Sequence, residues 1–368
     1  MHDSNRVTPL ADQQQARTNV GGSLETSGGV INSRTTDIGR ILGASAIYYY
    51  HVGRVSGHGP LSSYGEFAVE YFVILAGIAY ILFSRSKPSV PSEYFDYMKK
   101  RLASLFPMFL LVNLAIYLGN FLYPSGLGRP FRFIEFLASG AGVSQYFGWR
   151  YMSTVMWFLP FIMQVYLLLP LIDWTARRVN PVALVLTAFG SSYLLAQTVS
   201  LLVQSDHQAT LICKNWSPVF RLPEVCAGII LGRIVLTRRG QWVGILAVAV
   251  YGMLSLLVSL LAPENTRPFY YMPWGGFVVP AVFFGASALL SPVLRATNAK
   301  WVRLLGLSSF CFFLLHAAPM QAIGRHFHTR VTVWVAYYLA CWLLAIALTR
   351  FLAQAKNLLA GGLCRQKN

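Results

Sequence analysis

The sequence predicts an all-α, polytopic membrane protein: a bundle of about ten transmembrane helices with both termini in the cytosol. Three observations predict it. Apolar residues make up 55% of the 368-residue chain and charged residues only 12%, where soluble domains carry about a quarter charged. Apolar runs of about 20 residues recur along the chain, each long enough to cross a bilayer core. The basic residues gather in short clusters between those runs, and the clusters fall mostly on alternate loops. The 19 Tyr and 9 Trp add rings with a polar edge, which suit the water–lipid boundary.

Taken in order, the expected spans are approximately 38–56, 65–83, 102–123, 154–173, 181–203, 221–237, 242–262, 272–292, 302–323 and 332–354. The stretch 133–149 contains Glu135, several glycines and Gln145, and reads as a surface or re-entrant helix rather than an eleventh span. With this layout one side receives Arg6, Arg17, Arg34, Arg40, Arg85, Lys87 and Lys99 to Arg101. It also receives Arg177, Arg178, Arg233, Arg238, Arg239, Arg295, Lys300, Arg303, Arg350, Lys356, Arg365 and Lys367. That is 21 of the 30 Lys and Arg, leaving 9 for the other side. The positive-inside rule then places both termini in the cytosol, which requires an even number of spans.

Residues 1–36 are polar and lack the basic, apolar and cleavage regions of a signal peptide, so a disordered cytosolic tail is expected there. A membrane domain over 37–354 and a second cytosolic tail over 355–368 complete the division. The net charge of +17 is distributed as loop clusters, not as a basic face or tail, and this argues against nucleic acid as a partner. Cys213, Cys226, Cys311, Cys341 and Cys364 show no metal-site spacing and read as small core residues. No metal is expected.

The first span opens with Arg40, continues ILGASAIYYY and reaches His51. Eleven helical steps bring the two residues to one face, roughly 16 Å apart along the axis. A histidine inside a membrane is costly unless it meets a wet cavity or a partner. It is either a satisfied histidine packed on a neighbouring helix or a general base, able to take a proton from a hydroxyl near neutral pH. Arg40 at the cytosolic mouth suits an anion such as phosphate, or simply obeys positive-inside placement.

These residues resemble the first-helix signature of the membrane acyltransferase-3 family, an arginine, ten residues and a histidine. Four further runs are similar to that family in the same order. Glu70-Tyr71-Phe72-Val73-Ile74-Leu75-Ala76-Gly77 resembles its acidic, FFVLSG-like second helix. KRLASLFP, from Lys100 to Pro107, resembles the basic start of its third, and WFLPFIMQVYLLLPL, from Trp157 to Leu171, its fourth. GLSSFCFFLLH, from Gly306 to His316, resembles the late GxxSYxxYLLH-like helix. The resemblance covers roughly residues 37–350. Two positions depart from it. Ser104 stands where many members have a second arginine after the one matching Arg101, and Ile162 and Met163 stand where many have glutamates. Glu70 is the best remaining carboxylate in the membrane core.

The resemblance implies an acyltransferase in the bacterial inner membrane, taking an acyl group, usually acetyl, from cytosolic acetyl-coenzyme A. The acceptor is a hydroxyl of an exported or lipid-linked glycan, an exopolysaccharide being favoured. It implies His51 as the catalytic base, with Arg40, Lys99, Lys100 and Arg101 holding the phosphates of the coenzyme A thioester. Glu70, Trp157, Gln164, Tyr166 and His316 are supporting or acceptor-site candidates. Packing or interface anchoring is the competing reading for the aromatics and for His316, whereas an amide such as Gln164 in a span wants a partner or water. Besides the glycan acceptor, partners are membrane lipids and polysaccharide-biosynthesis machinery. Succinyl or another short acyl group is the alternative donor cargo, and a glycan or lipid transporter is the non-enzymatic alternative. On the expected outer side, Arg54, His58 and the group Arg325, His326, His328 and Arg330 read either as contacts for an acidic glycan or as headgroup-facing residues. The loop 124–153, with Arg129, Arg132 and Trp149, is a place for acceptor selection.

Overall fold

A computed structural model describes residues 33–56, 68–83, 91–122, 132–144, 155–203, 217–235, 299–320 and 330–365, together with 88, 153, 285–287, 290, 323 and 324. The described chain is all-α. The helices are α1 (Ser33–Ser56), α2 (Ala68–Phe83), α3 (Pro91–Leu122), α4 (Phe133–Ala141), α5 (Phe158–Ala176), α6 (Pro181–Val203), α7 (Leu222–Val235), α8 (Ala299–Leu315) and α9 (Val331–Arg365). A 3-10 turn, Pro218–Arg221, leads into α7.

The most extensive helix pairing joins α2 to α7, and glycines explain it. The GIILG run of α7 places Gly228 and Gly232 one turn apart on one face. A Cβ at Gly228 would stand 2.5 Å from the Ile74 carbonyl oxygen, and one at Gly77 would stand 2.8 Å from the Gly228 backbone. Only backbone fits between these helices, the small-residue contact by which membrane helices approach closely. Helix α8 packs on α1 and on α9, and α5 packs on α3 and α7. Buried side chains of α1, α2, α3, α5, α7, α8 and α9 share one core cluster, which includes Phe109, Met156, Phe161, Val225, Phe312 and Ala345.

Three described helices are long and apolar enough to cross a membrane: Ser92–Leu122, Phe158–Ala176 and Val331–Leu358. The expected ten spans therefore reduce to three among the described residues. Ala68–Phe83 and Pro181–Leu195 are apolar but shorter. At about 1.5 Å per residue, α2 is about 24 Å long, short of the hydrocarbon thickness of roughly 30 Å. Helix α8, at 17 residues, is also short, and α1 is long enough but carries Arg34, Asp37, Arg40, His51 and Arg54. The expected spans 242–262 and most of 272–292 lie outside the described residues.

Several boundaries move. Helix α1 starts at Ser33, so the last four residues of the expected tail are helical, and Thr35 and Thr36 are buried. Helix α3 starts at Pro91, a residue suited to the first helical position. Lys99, Lys100 and Arg101 consequently lie inside the helix rather than before it. At the other end of the chain, α9 runs on to Arg365, eleven residues past the expected span. Residues 1–32, Arg129, Trp149, His58, Arg325, His326 and His328 lie outside the described residues.

The stretch read as a surface or re-entrant helix holds the nine-residue α4. Its first turn is closed by Glu135, which accepts from the Arg132 backbone N–H at 3.0 Å. Its end is closed by Gly142 at φ 73°, with Val143 N–H reaching the Ala138 carbonyl at 2.9 Å. Buried Asn113 of α3 binds α4 twice, through Ser139 Oγ at 2.8 Å and the Phe136 carbonyl at 3.3 Å. Phe133, Ile134 and Leu137 remain exposed.

Candidate active site

Helix α1 is continuous, so Arg40 and His51 do share a face, and its His51 end meets the segment that follows α8. The His51 ring lies 5.3 Å from the ring of His316, centroid to centroid. His316 is the first residue beyond α8, because Pro319 ends the helix just before the span expected to reach 323. It is completely buried and packed among aromatic rings. Its Nδ1 faces the Phe312 carbonyl at 3.3 Å. A carbonyl only accepts, so this contact places the proton on Nδ1 and leaves Nε2 with a lone pair. That Nε2 has no hydrogen-bond partner among the described residues.

The surroundings of the two imidazoles are aromatic and fixed. Phe312 stacks on His316 at 5.8 Å and on Trp342 of α9 at 4.3 Å. Tyr48, one turn before His51, stands 6.0 Å from His316, and its hydroxyl donates to the Trp334 carbonyl at 2.6 Å. Tyr337 donates to the carbonyl of His316 at 2.6 Å, and Ser45 pairs with Tyr338 at 2.7 Å. These bonds anchor α9 against both histidine-bearing segments. A partly buried imidazole, His51, beside a fully buried one, His316, is an arrangement that general-base chemistry can use.

Towards the N-terminal end of α1, Arg40 is two-thirds buried and donates to Asp37 at 2.9 Å. On α3, the Arg101 guanidinium lies 5.2 Å from the ring centres of both Tyr97 and Tyr166. Tyr166 is thereby joined to the basic group, and both rings orient the cation. Lys99 and Lys100 are exposed. Lys99, Lys100 and the ring-held Arg101 are cations of the kind that hold phosphates, and Asp96 stands one turn before the two lysines on the same helix.

A family model described as an acyltransferase domain matches residues 35–350. The chain belongs to the acyltransferase-3 family. Neither a curated protein nor a solved structure shows a significant match to it. Family membership together with the membrane-length helices makes this a membrane-embedded protein with acyltransferase-type activity, using an acyl-coenzyme A type of donor and a glycan or lipid acceptor. Among the described residues, no group of three or more His, Cys, Asp or Glu is arranged to hold a metal ion.

In this acyltransferase Glu70 takes part in a buried ion pair. Its described partner is Arg221, at the junction of the 3-10 turn and α7, and the same guanidinium reaches Glu224 at 3.4 Å. All three side chains are nearly excluded from solvent. Trp157 packs against Phe158 and Phe161 at 6.0 and 5.7 Å. Phe158 touches Phe313 at 4.8 Å, and Phe313 meets His316 at 5.8 Å, so Trp157 reaches the histidines only through other rings. Gln164 is half-buried on α5. Cys226, Cys311 and Cys341 are buried and free.

Sequence reasoning passed over Asp37, Tyr48 as a specific neighbour of His316, and Arg221. Asp37 had a signal, since it precedes Arg40 by three residues and helical neighbours at that spacing pair. Arg221 had the same signal toward Glu224, three residues on, but its pairing with Glu70 had none, being 151 residues distant.

Proposed function

We propose that the protein transfers an acetyl group from cytosolic acetyl-coenzyme A to a hydroxyl of an exported or lipid-linked glycan in a bacterial inner membrane, with an exopolysaccharide as the leading acceptor. The observation that carries this reading is the contact of His51 with His316 at the far end of the α1 face that begins at Arg40. A donor whose phosphates rest near Arg40 and Arg101 has a narrow pantetheine arm suited to run along that face. The roughly 16 Å from Arg40 to His51 is a span such an arm can cover.

In the reaction, the glycan hydroxyl oxygen attacks the thioester carbonyl carbon while His51 takes the hydroxyl proton. Collapse of the tetrahedral intermediate breaks the carbon–sulfur bond. The departing thiolate receives the proton from His51, leaving an O-acetyl ester, coenzyme A and neutral His51. His316, held by Phe312 and Tyr337, fixes the His51 ring and discourages a second positive charge beside it. Two imidazolium charges 5.3 Å apart would repel each other.

Mass spectrometry of surface glycans from cells with and without the gene tests the reading. The expected outcome is loss of an acetyl increment from one glycan. A succinyl increment would replace acetyl with the alternative cargo. An unchanged acyl pattern under verified expression would sink the proposal.

A further inference from the structure

We infer that Arg303 of α8 joins Arg40 of α1 as a two-guanidinium seat for a phosphate group of the coenzyme A donor, with buried Asp37 holding the pair ready. The inference rests on the donor assignment made above and adds to it a residue from a different helix.

The packing of α1 on α8 brings these groups together. Gly306 lacks a side chain where Asp37 needs room: a Cβ there would lie 2.5 Å from the Asp37 Cβ and 2.7 Å from its Oδ1. Asp37 is thus seated against α8 itself. Arg303 is three residues before Gly306, which puts it on the same face of α8 and one turn nearer the helix start. The charges of both Arg40 and Arg303 act on the Asp37 carboxylate.

Asp37 is 7% exposed, and Arg40 donates to it at 2.9 Å. A carboxylate this buried is costly unless paired. Pairing explains why it is tolerated here, and the sum of charges explains what the cluster can do. Two guanidiniums against one carboxylate leave a positive surplus where two helices start. The Arg40 side chain is one-third exposed, and Arg303 is exposed, so donors remain for an incoming anion. A guanidinium fork matches phosphate geometry with paired hydrogen bonds. The acyl chemistry at His51 is then served by a phosphate anchor at the opposite end of the same α1 face.

The test is equilibrium binding to the full chain in phosphatidylcholine nanodiscs, using coenzyme A and, as a phosphate-free probe, pantetheine. Arg303→Ala is expected to raise the coenzyme A dissociation constant about tenfold and leave pantetheine binding unchanged; Arg303→Lys is expected to recover part of the loss. Arg303 is exposed, so its removal opens no cavity. Asp37→Asn, which keeps the shape, is expected to weaken coenzyme A binding less than Arg303→Ala. An unchanged dissociation constant in Arg303→Ala, or an equal loss for pantetheine, would overturn the inference alone. So would a loss seen only when anionic phosphatidylglycerol is added, since the seat would then belong to lipid headgroups. If the wild-type chain bound no coenzyme A in either lipid, the donor assignment would fall first and this inference with it.

Discussion

Two buried polar centres of this molecule follow opposite designs. At the α1–α8–α9 junction, two imidazoles meet among aromatic rings, and His316 Nε2 has no hydrogen-bond partner among the described residues. At the α2–α7 junction, one guanidinium is claimed by two carboxylates, Glu70 and Glu224. Both centres lie on motif-bearing helices, and a motif alone does not tell them apart. The difference teaches that an imidazole pair and an ion pair suit different tasks: the first can move a proton, which is the role proposed for it, and the second holds charge in place. A buried guanidinium paired with a carboxylate of another helix instead fastens the two helices together.

Removing the imidazole of His51 is the sharpest way to break the comparison. His51→Ala, and equally His51→Gln, is expected to lower acyl transfer about 10³-fold, within the range for loss of a general base, while thermal unfolding in detergent stays close to wild type. Full activity in correctly inserted variant protein would remove His51 from catalysis. At the other centre the expected pattern is reversed. Arg221→Ala leaves two buried carboxylates facing each other and should cost about 3–5 kcal/mol of stability. Residual activity per folded molecule should change little. A loss of turnover without loss of thermal stability would move Arg221 into the catalytic machinery.

His316→Gln should lower turnover about tenfold to a hundredfold and alter the pH profile, because the ring beside His51 would no longer be an imidazole. A purely structural role would reduce stability and leave the profile in place. Gly228→Ala is expected to cost about 1–3 kcal/mol, the range for overpacking, since its new methyl meets the Ile74 carbonyl. The smallest effect is expected from Arg101→Lys. This keeps the charge but loses the planar contact with Tyr97 and Tyr166, worth roughly 0.5–2 kcal/mol, and should appear in donor affinity alone.

The legible part of the site was what a helix encodes locally. Arg40 and His51 were readable as one face because the eleven-residue spacing needs only helical geometry, and the motif run ending at His316 marked its partner. Their meeting was not readable, since it depends on how α8 packs on α1. Glu70 shows the limit from the other side: its carboxylate was visible, but the residue that claims it lies 151 positions away. The α2–α7 crossing did have a local signal. The GIILG run at 228–232 spaces two glycines by one turn, and that spacing predicts close backbone approach. The start of α3 was misplaced for a physical reason, because hydropathy marks where a helix enters apolar surroundings, not where its hydrogen bonds begin.

Helix α9 illustrates the same distinction and has a practical consequence. Its 35 residues give about 52 Å of continuous helix, against roughly 30 Å of hydrocarbon. Some 20 Å must stand clear of the lipid core, carrying Lys356 with it. Through Tyr337, Tyr338 and Trp342 the same helix packs beside the two histidines, so its protruding end is continuous with the wall of the proposed site. A marker fused there would report orientation for imaging, and a ligand that tilts it would be felt at His316.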